Sequence, residues 1–260
     1  YNDGNGAFPI KQSWTTGLSP YSVESVQLTD DNHDGEVDKD DVADLVVANF
    51  GDFGVGGDIT ILYNNGQGEF PTNNTLPART SPASVTSADL DNDGDTDLAI
   101  ANFGSHNVSI LENIGNGSFV DMPTSFPAGT GPYDVTAEDI DQDGDLDLLV
   151  ANGDEGHLAV LRNISTDDSI RFGAPEAIGA GSFENSISSS VATADFNQDG
   201  VLDVAIANGI ERSVSIMLNT VSPGGYKVTL GSATPASKLM FGAISSDDLG
   251  KIYLQGTSGD

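Results

Sequence analysis

An all-β fold, a β-propeller of four-stranded antiparallel blades, is what the 260-residue sequence predicts, and three observations carry that reading. One acidic, glycine-containing segment returns about every fifty residues, a length that suits one blade. Between its copies lie short segments of alternating apolar and polar residues, the pattern of half-buried strands. No segment longer than about ten residues keeps a 3.6-residue apolar period, and 31 glycines punctuate the chain.

The recurring segment is clearest as Asp89-Leu-Asp-Asn-Asp-Gly-Asp-Thr-Asp97-Leu-Ala-Ile-Ala-Asn102, repeated as Asp139-Ile-Asp-Gln-Asp-Gly-Asp-Leu-Asp147-Leu-Leu-Val-Ala-Asn152. A third copy runs from Asp195 to Asn208. A fourth opens as Asp30-Asp-Asn-His-Asp-Gly-Glu-Val-Asp38, takes a six-residue insertion from Lys39 to Asp44, and resumes as Leu45-Val-Val-Ala-Asn49. These copies place calcium-loop repeats near residues 19–70, 81–119, 131–172 and 188–226 of a single propeller domain.

Each Ala-Asn pair closes a second strand. A polar turn and an alternating third strand follow, at Ile59–Leu62, Val108–Leu111, Leu158–Leu161 and Val214–Met217. Asn64-Asn-Gly-Gln-Gly-Glu-Phe70 and Asn113-Ile-Gly-Asn-Gly-Ser-Phe119 then supply glycines for a hairpin turn before a fourth, outer strand. The ends are half-repeats, 1–18 and 237–260. Tyr1-Asn-Asp-Gly-Asn-Gly-Ala-Phe8 matches Tyr63 to Phe70, and Ile244-Ser-Ser-Asp-Asp248-Leu matches Val85 to Leu90. The two ends are complementary, so the expected count is about five blades, four complete and one composite of both termini.

The acidic segments suit a hard cation. Oxygen ligands at alternate residues around a glycine turn let one short loop wrap Ca²⁺. In the second loop the side chains of Asp89, Asp91, Asp93 and Asp97 are the candidates, with the carbonyl of Asp95. The third loop offers Asp139, Asp141, Asp143 and Asp147 with Asp145, and the fourth Asp195, Asn197, Asp199 and Asp203 with Val201. The first offers Asp30, Asn32, Asp34 and Asp38 with Glu36, but its insertion brings Asp40, Asp41 and Asp44 as competing ligands and leaves two registers open. An EF-hand would need a glutamate at position twelve, where Ile100, Val150, Ile206 and Asp41 stand. One such segment alone reads as a solvated turn; four in register at blade spacing predict about four Ca²⁺ per chain.

Composition narrows the partners. The formal charge is −31, from 40 acidic against 9 basic residues, which repels nucleic acid and anionic membrane and attracts cations. No apolar run approaches the ~20 residues that span a bilayer, and no stretch has the order of a secretion signal. With no cysteine there are no disulfides, and bound metal is the expected stabiliser. Gly-x-Ser-x-Gly, His-Glu-x-x-His and phosphate-binding glycine loops are absent, and His33, His106 and His157 read as turn residues, so no enzyme is expected. Sequons at Asn73, Asn107, Asn116 and Asn163 are formal glycan acceptors.

Asp-Gly-Asp-x-Asp-Leu-x-x-Ala-Asn, then Val-Ser-Ile-Leu, then Asn-Gly-x-Gly-x-Phe resemble the FG-GAP or VCBS repeat over nearly the whole chain. That resemblance implies the calcium-gripping propeller of integrin α subunits and many bacterial surface proteins, hence an extracellular or cell-surface adhesive or structural role. Integrin propellers have seven blades, whereas this chain accounts for about five. Two alternatives stand beside it. One is a self-assembling filament subunit joined by strand or blade complementation. The other is a lectin-like propeller, for which Trp14, Phe50, Phe53 and Phe103 are the aromatic candidates.

Overall fold

A computed structural model describes residues 11–30, 37, 40–52, 56–121, 125–154, 156–166, 169–179, 188–210 and 212–220, with two short strands at 244–246 and 252–254. The N-terminal match at 1–8 and Phe53 lie outside the described residues. Among the described residues the architecture is all-β, with one 3₁₀ turn at Phe103–Ser105.

Four sheets follow one another along the chain, each an antiparallel meander. The first blade is β1 (Pro20–Val26), β2 (Asp44–Asn49), β3 (Gly56–Tyr63) and β4 (Thr72–Thr80). The second is β5 (Pro82–Ala88), β6 (Asp97–Asn102), β7 (Asn107–Asn113) and β8 (Phe119–Asp121), with β9 (Phe126–Pro127) also pairing with β7. The third is β10 (Pro132–Glu138), β11 (Asp147–Asn152), β12 (His157–Leu161) and β13 (Glu176–Gly179). The fourth shows β14 (Ser188–Ala194), β15 (Asp203–Asn208) and β16 (Ser213–Met217). A separate hairpin pairs β17 (Ile244–Ser246) with β18 (Ile252–Leu254).

Blades stack face to face. β1 packs against β5, β5 against β10 and β10 against β14, while no comparable contact among the described residues returns β14 to β1. Because side chains alternate across a strand, each central strand serves two seams. Val46, Ala48, Ile59 and Ile61 of the first blade meet Val85, Leu98 and Ile100 of the second. Ala99, Ala101, Val108 and Ile110 then meet Val135, Leu148 and Val150. Leu149, Ala151, Leu158 and Val160 meet Val191, Val204 and Ile206. A strand buried on both faces reads as the near-continuous apolar run seen in the sequence.

The Ala-Asn signature has a physical reason. Its asparagine is buried at the end of the second strand, and its Nδ2 donates to a hydroxyl on the neighbouring third strand: Asn49 to Thr60 at 2.9 Å, Asn102 to Ser109 at 3.0 Å, Asn208 to Ser215 at 2.8 Å. In the third blade that position is Ala159, and Asn152 reaches only the Val150 carbonyl, at 3.5 Å.

Candidate metal centres

The acidic loops join the first strand of each blade to the second, and the loops of blades two to four lie side by side. Asn92 Nδ2 donates to Asp145 Oδ1 at 2.9 Å, and Gln142 Nε2 to the Gly200 carbonyl at 3.0 Å. Each loop turns through two positive-φ residues, Asn92 and Gly94, Gln142 and Gly144, or Gln198 and Gly200, with glycine φ values of +97°, +100° and +90°. Glycine adopts that conformation without steric cost. The first carboxylate holds the turn by accepting from the glycine N–H: Asp89 from Gly94 and Asp139 from Gly144 at 3.1 Å, Asp195 from Gly200 at 2.9 Å. The fifth-position carboxylate accepts from the seventh-position N–H, as in Asp93 with Asp95 at 2.8 Å and Asp199 with Val201 at 3.0 Å.

The ninth-position carboxylate anchors the loop to its blade. Asp97, Asp147 and Asp203 are buried, and the Oδ1 of each accepts the N–H of the asparagine that ends or follows the third strand, from Asn113 at 2.8 Å, Asn163 at 2.7 Å and Asn219 at 2.7 Å. In the first blade Asp44 fills that place, accepting from Asn64 N–H at 2.7 Å. The open register of the first loop is thereby narrowed: Asp44 opens β2 as Asp97 opens β6, whereas Asn32, Asp34, Glu36 and Asp38 lie outside the described residues. Asp30 is described, its N–H donating to Asn116 Oδ1 at 3.0 Å.

Oxygens of Asp89, Asp91 and Asp97 lie within 4.8 Å of one another, as do those of Asp139, Asp141 and Asp143. Asp89 Oδ1, Asp91 Oδ1 and Asp141 Oδ1 are buried with no hydrogen-bond partner, and Asp91 is only 7% exposed. Leaving such an oxygen buried without a donor is costly. A cation at the loop centre removes that cost, so these residues fit a metal.

The field in the loops says the same. Burial, with repulsion from neighbouring loop aspartates, raises Asp91 above the usual carboxylate range, and Asp95 rises for the same reasons. Burial pushes Asp97 up to about 7, against the two backbone N–H groups of Asn113 and Leu90 that it accepts. Burial raises Asp147 to about 6, opposed by the Asn163 N–H and by Arg162. Arg162 is the residue the sequence reading missed: its Nη1 lies 3.1 Å from Asp141 Oδ2 and 2.6 Å from Asp147 Oδ2. Tyr63, Glu112 and Leu218 hold the corresponding positions in the other blades, so only the third carries its own cation there.

Among the described residues the aromatic candidates Trp14, Phe50 and Phe103 do not form one platform. Phe50 is buried and packs with Tyr21 and Phe103, Phe103 meets Tyr133 edge-on at 5.1 Å, and Trp14 leans on Phe70 at 5.0 Å. His106 Nδ1 accepts the Gly131 N–H at 3.0 Å, a turn contact.

Blades with a shared acidic loop between their first and second strands define a repeat protein of propeller type. The FG-GAP-like repeat model matches residues 36–100, 89–150 and 139–206, and the chain belongs to that family. No curated protein matches it. Among solved structures it is similar to the V. cholerae biofilm matrix protein Bap1, with 20% identity over 78% of this chain and a TM-score of 0.45. The match spans 36% of that protein's chain.

Proposed function

We propose that the chain is a calcium-stabilised extracellular module with an adhesive or structural role, binding about four Ca²⁺ through its loops and carrying out no catalysis. The observation that supports it most is the set of orphaned buried oxygens, Asp89 Oδ1, Asp91 Oδ1 and Asp141 Oδ1, inside loops of otherwise satisfied groups. All donors are oxygens on short flexible turns, which favours Ca²⁺ over the smaller and geometrically stricter Mg²⁺. The fourth loop is solvent-exposed from Asp195 to Gly200, an arrangement suited to the weak sites that fill at extracellular calcium concentrations. Four ions bring the formal charge from −31 to −23, so a strongly acidic surface remains for further cations to bridge.

Ions that bind only the folded state stabilise it by mass action, about 2.7 kcal/mol per site at 100 times the dissociation constant. Thermal unfolding in calcium and in excess chelator tests the reading. A large fall in melting temperature on chelation is expected, and identical melting would show the loops to be ordinary turns. Calcium-dependent retention of the protein on cells or matrix polymer, lost in chelator, tests the adhesive half.

A further inference from the structure

Blades one and two enclose a cleft between the turns that join β3 to β4 and β7 to β8. Its volume is about 690 Å³, within the roughly 300–1,000 Å³ of small-ligand sites. Tyr63, Thr72 and Asn74 of blade one line it together with Asn116, Ser118 and Phe119 of blade two, and Asp30 of the first acidic loop borders it. A second cleft of about 400 Å³, lined by Gln12, Ser13, Trp14 and Glu69, adjoins the first through Pro71, which belongs to both.

The walls of this groove are fixed by bonds of their own. Tyr63 Oη donates to the Gly117 carbonyl at 3.1 Å, joining the two blades, and the Asp30 N–H donates to Asn116 Oδ1 at 3.0 Å. Asn64 and Asn65 brace the β3–β4 turn by accepting the N–H groups of Gly66 and Gln67. Trp14 meets Phe70 edge-on at 5.0 Å and is still 36% exposed. β4 is nine residues long, against three in β8 and four in β13, and its exposed Thr72 and Asn74 extend the wall.

These groups fit one kind of ligand. A pyranose ring presents a rim of hydroxyls and an apolar face of C–H groups, and the groove offers both complements. Thr72, Asn116 and Ser118 supply uncharged hydroxyl and amide groups, and Trp14, Tyr63 and Phe119 supply aromatic surface. No lysine or arginine stands among the described lining residues, and the formal charge of −31 repels anionic polymers. Two open clefts side by side suit a chain that passes through rather than a single sugar.

We propose that the groove from Trp14 to Phe119 binds a neutral polysaccharide chain, with sugar rings against Trp14 and Tyr63 and their hydroxyls on Thr72, Asn116 and Ser118. The proposal rests on the adhesive half of the function above, for which it names the ligand, and not on the number of ions in the loops.

Trp14 is the only tryptophan of the chain, so its emission reports occupancy of the groove. The full chain in calcium is titrated with cellohexaose, laminarihexaose, maltohexaose and mannohexaose, and with oligogalacturonate as the charged contrast. At least one neutral oligosaccharide should shift the emission saturably, and oligogalacturonate should not. Thr72→Ala combined with Ser118→Ala, both at exposed positions, should weaken that binding by about tenfold with melting little changed. Trp14→Ala should abolish retardation in a gel containing the parent polysaccharide. No emission change with any of the four, equal binding of oligogalacturonate, or binding that both variants leave intact would overturn the proposal. Calcium-dependent retention on cells that persists in those cases would leave the adhesive reading standing and put its surface elsewhere.

Discussion

Asn163, two residues beyond the third strand of blade three, donates through Nδ2 to the carbonyl of Leu90 in the acidic loop of blade two, at 2.8 Å. Asn219 repeats the contact with Ile140 one blade later, at 2.7 Å. The second and third loops are thus each clamped by the blade that follows, and the second residue of each is fixed by a neighbour more than seventy residues away in sequence. If the loops hold calcium as proposed, metal binding and blade packing are coupled through this clamp.

Asn163→Ala should therefore destabilise the chain by about 1–3 kcal/mol, because it strands the buried Leu90 carbonyl and the partly buried Leu146 carbonyl that the amide now satisfies. It should also weaken calcium binding at the second loop, to which Asn163 contributes no ligand. Denaturant unfolding and calcium titration read the two effects, and a change in neither would show the clamp to be inert. The same contact bears on the sequon there: a glycan on Asn163 Nδ2 is incompatible with its two hydrogen bonds, so any occupied sequon should be one of the other three.

On the calcium reading, Arg162, paired with Asp141 and Asp147, competes with the ion for the third site. Replacing it with leucine, the residue of the fourth blade, should raise calcium affinity at that loop by about tenfold, or ~1.4 kcal/mol. Asp143→Ala and Asp93→Ala should each delete one ion and leave the other loops loaded. Calcium titrations of the three variants separate these outcomes, and unchanged affinity in Arg162→Leu would mean the guanidinium swings aside at no cost.

The chelated protein should have an inverted pH dependence. Asp97 and Asp147 are raised by burial from 3.8 to about 7 and about 6, so the folded state holds their protons more tightly than the unfolded state does. Stability from these groups is complete below pH 3.8 and is lost as pH rises to about 7. Calcium requires the deprotonated carboxylates, so the stabilisation it adds should grow over the same interval. Melting temperatures from pH 4.5 to 7.5 with and without chelator check both signs; a metal-free protein that gains stability across that range contradicts the burial argument.

Ala159→Ser should restore to Asn152 the hydroxyl partner that Thr60, Ser109 and Ser215 give its counterparts, raising stability by about 1 kcal/mol. Destabilisation would mean that the core around Ala159 has no room for the oxygen.

Central strands and loops were legible in the sequence because each is fixed by its own residues: alternation at Val108–Leu111, glycine at Gly94, carboxylates at alternate positions. Outer strands were less so. Thr72–Thr80 is largely exposed and polar, and its pairing with β3 is set by the turn before it rather than by any apolar pattern. The anchoring role of Asp44 was ambiguous because it is the last residue of the six-residue insertion that follows the loop, and its bond to Asn64 decides its place. Arg162 carried no signal at all, since a lone arginine after a strand reads as a solvated side chain until the fold brings Asp141 and Asp147 to it.

The claim that the acidic loops hold calcium is tested most directly by counting ions. The purified chain, equilibrated with calcium and passed through gel filtration in calcium-free buffer immediately before elemental analysis, should retain between two and four Ca²⁺ per chain, with the second and third loops holding theirs and the exposed fourth the first to empty. Calorimetric titration of the stripped protein should bring the total to four. One ion or fewer per chain in both measurements would contradict the account.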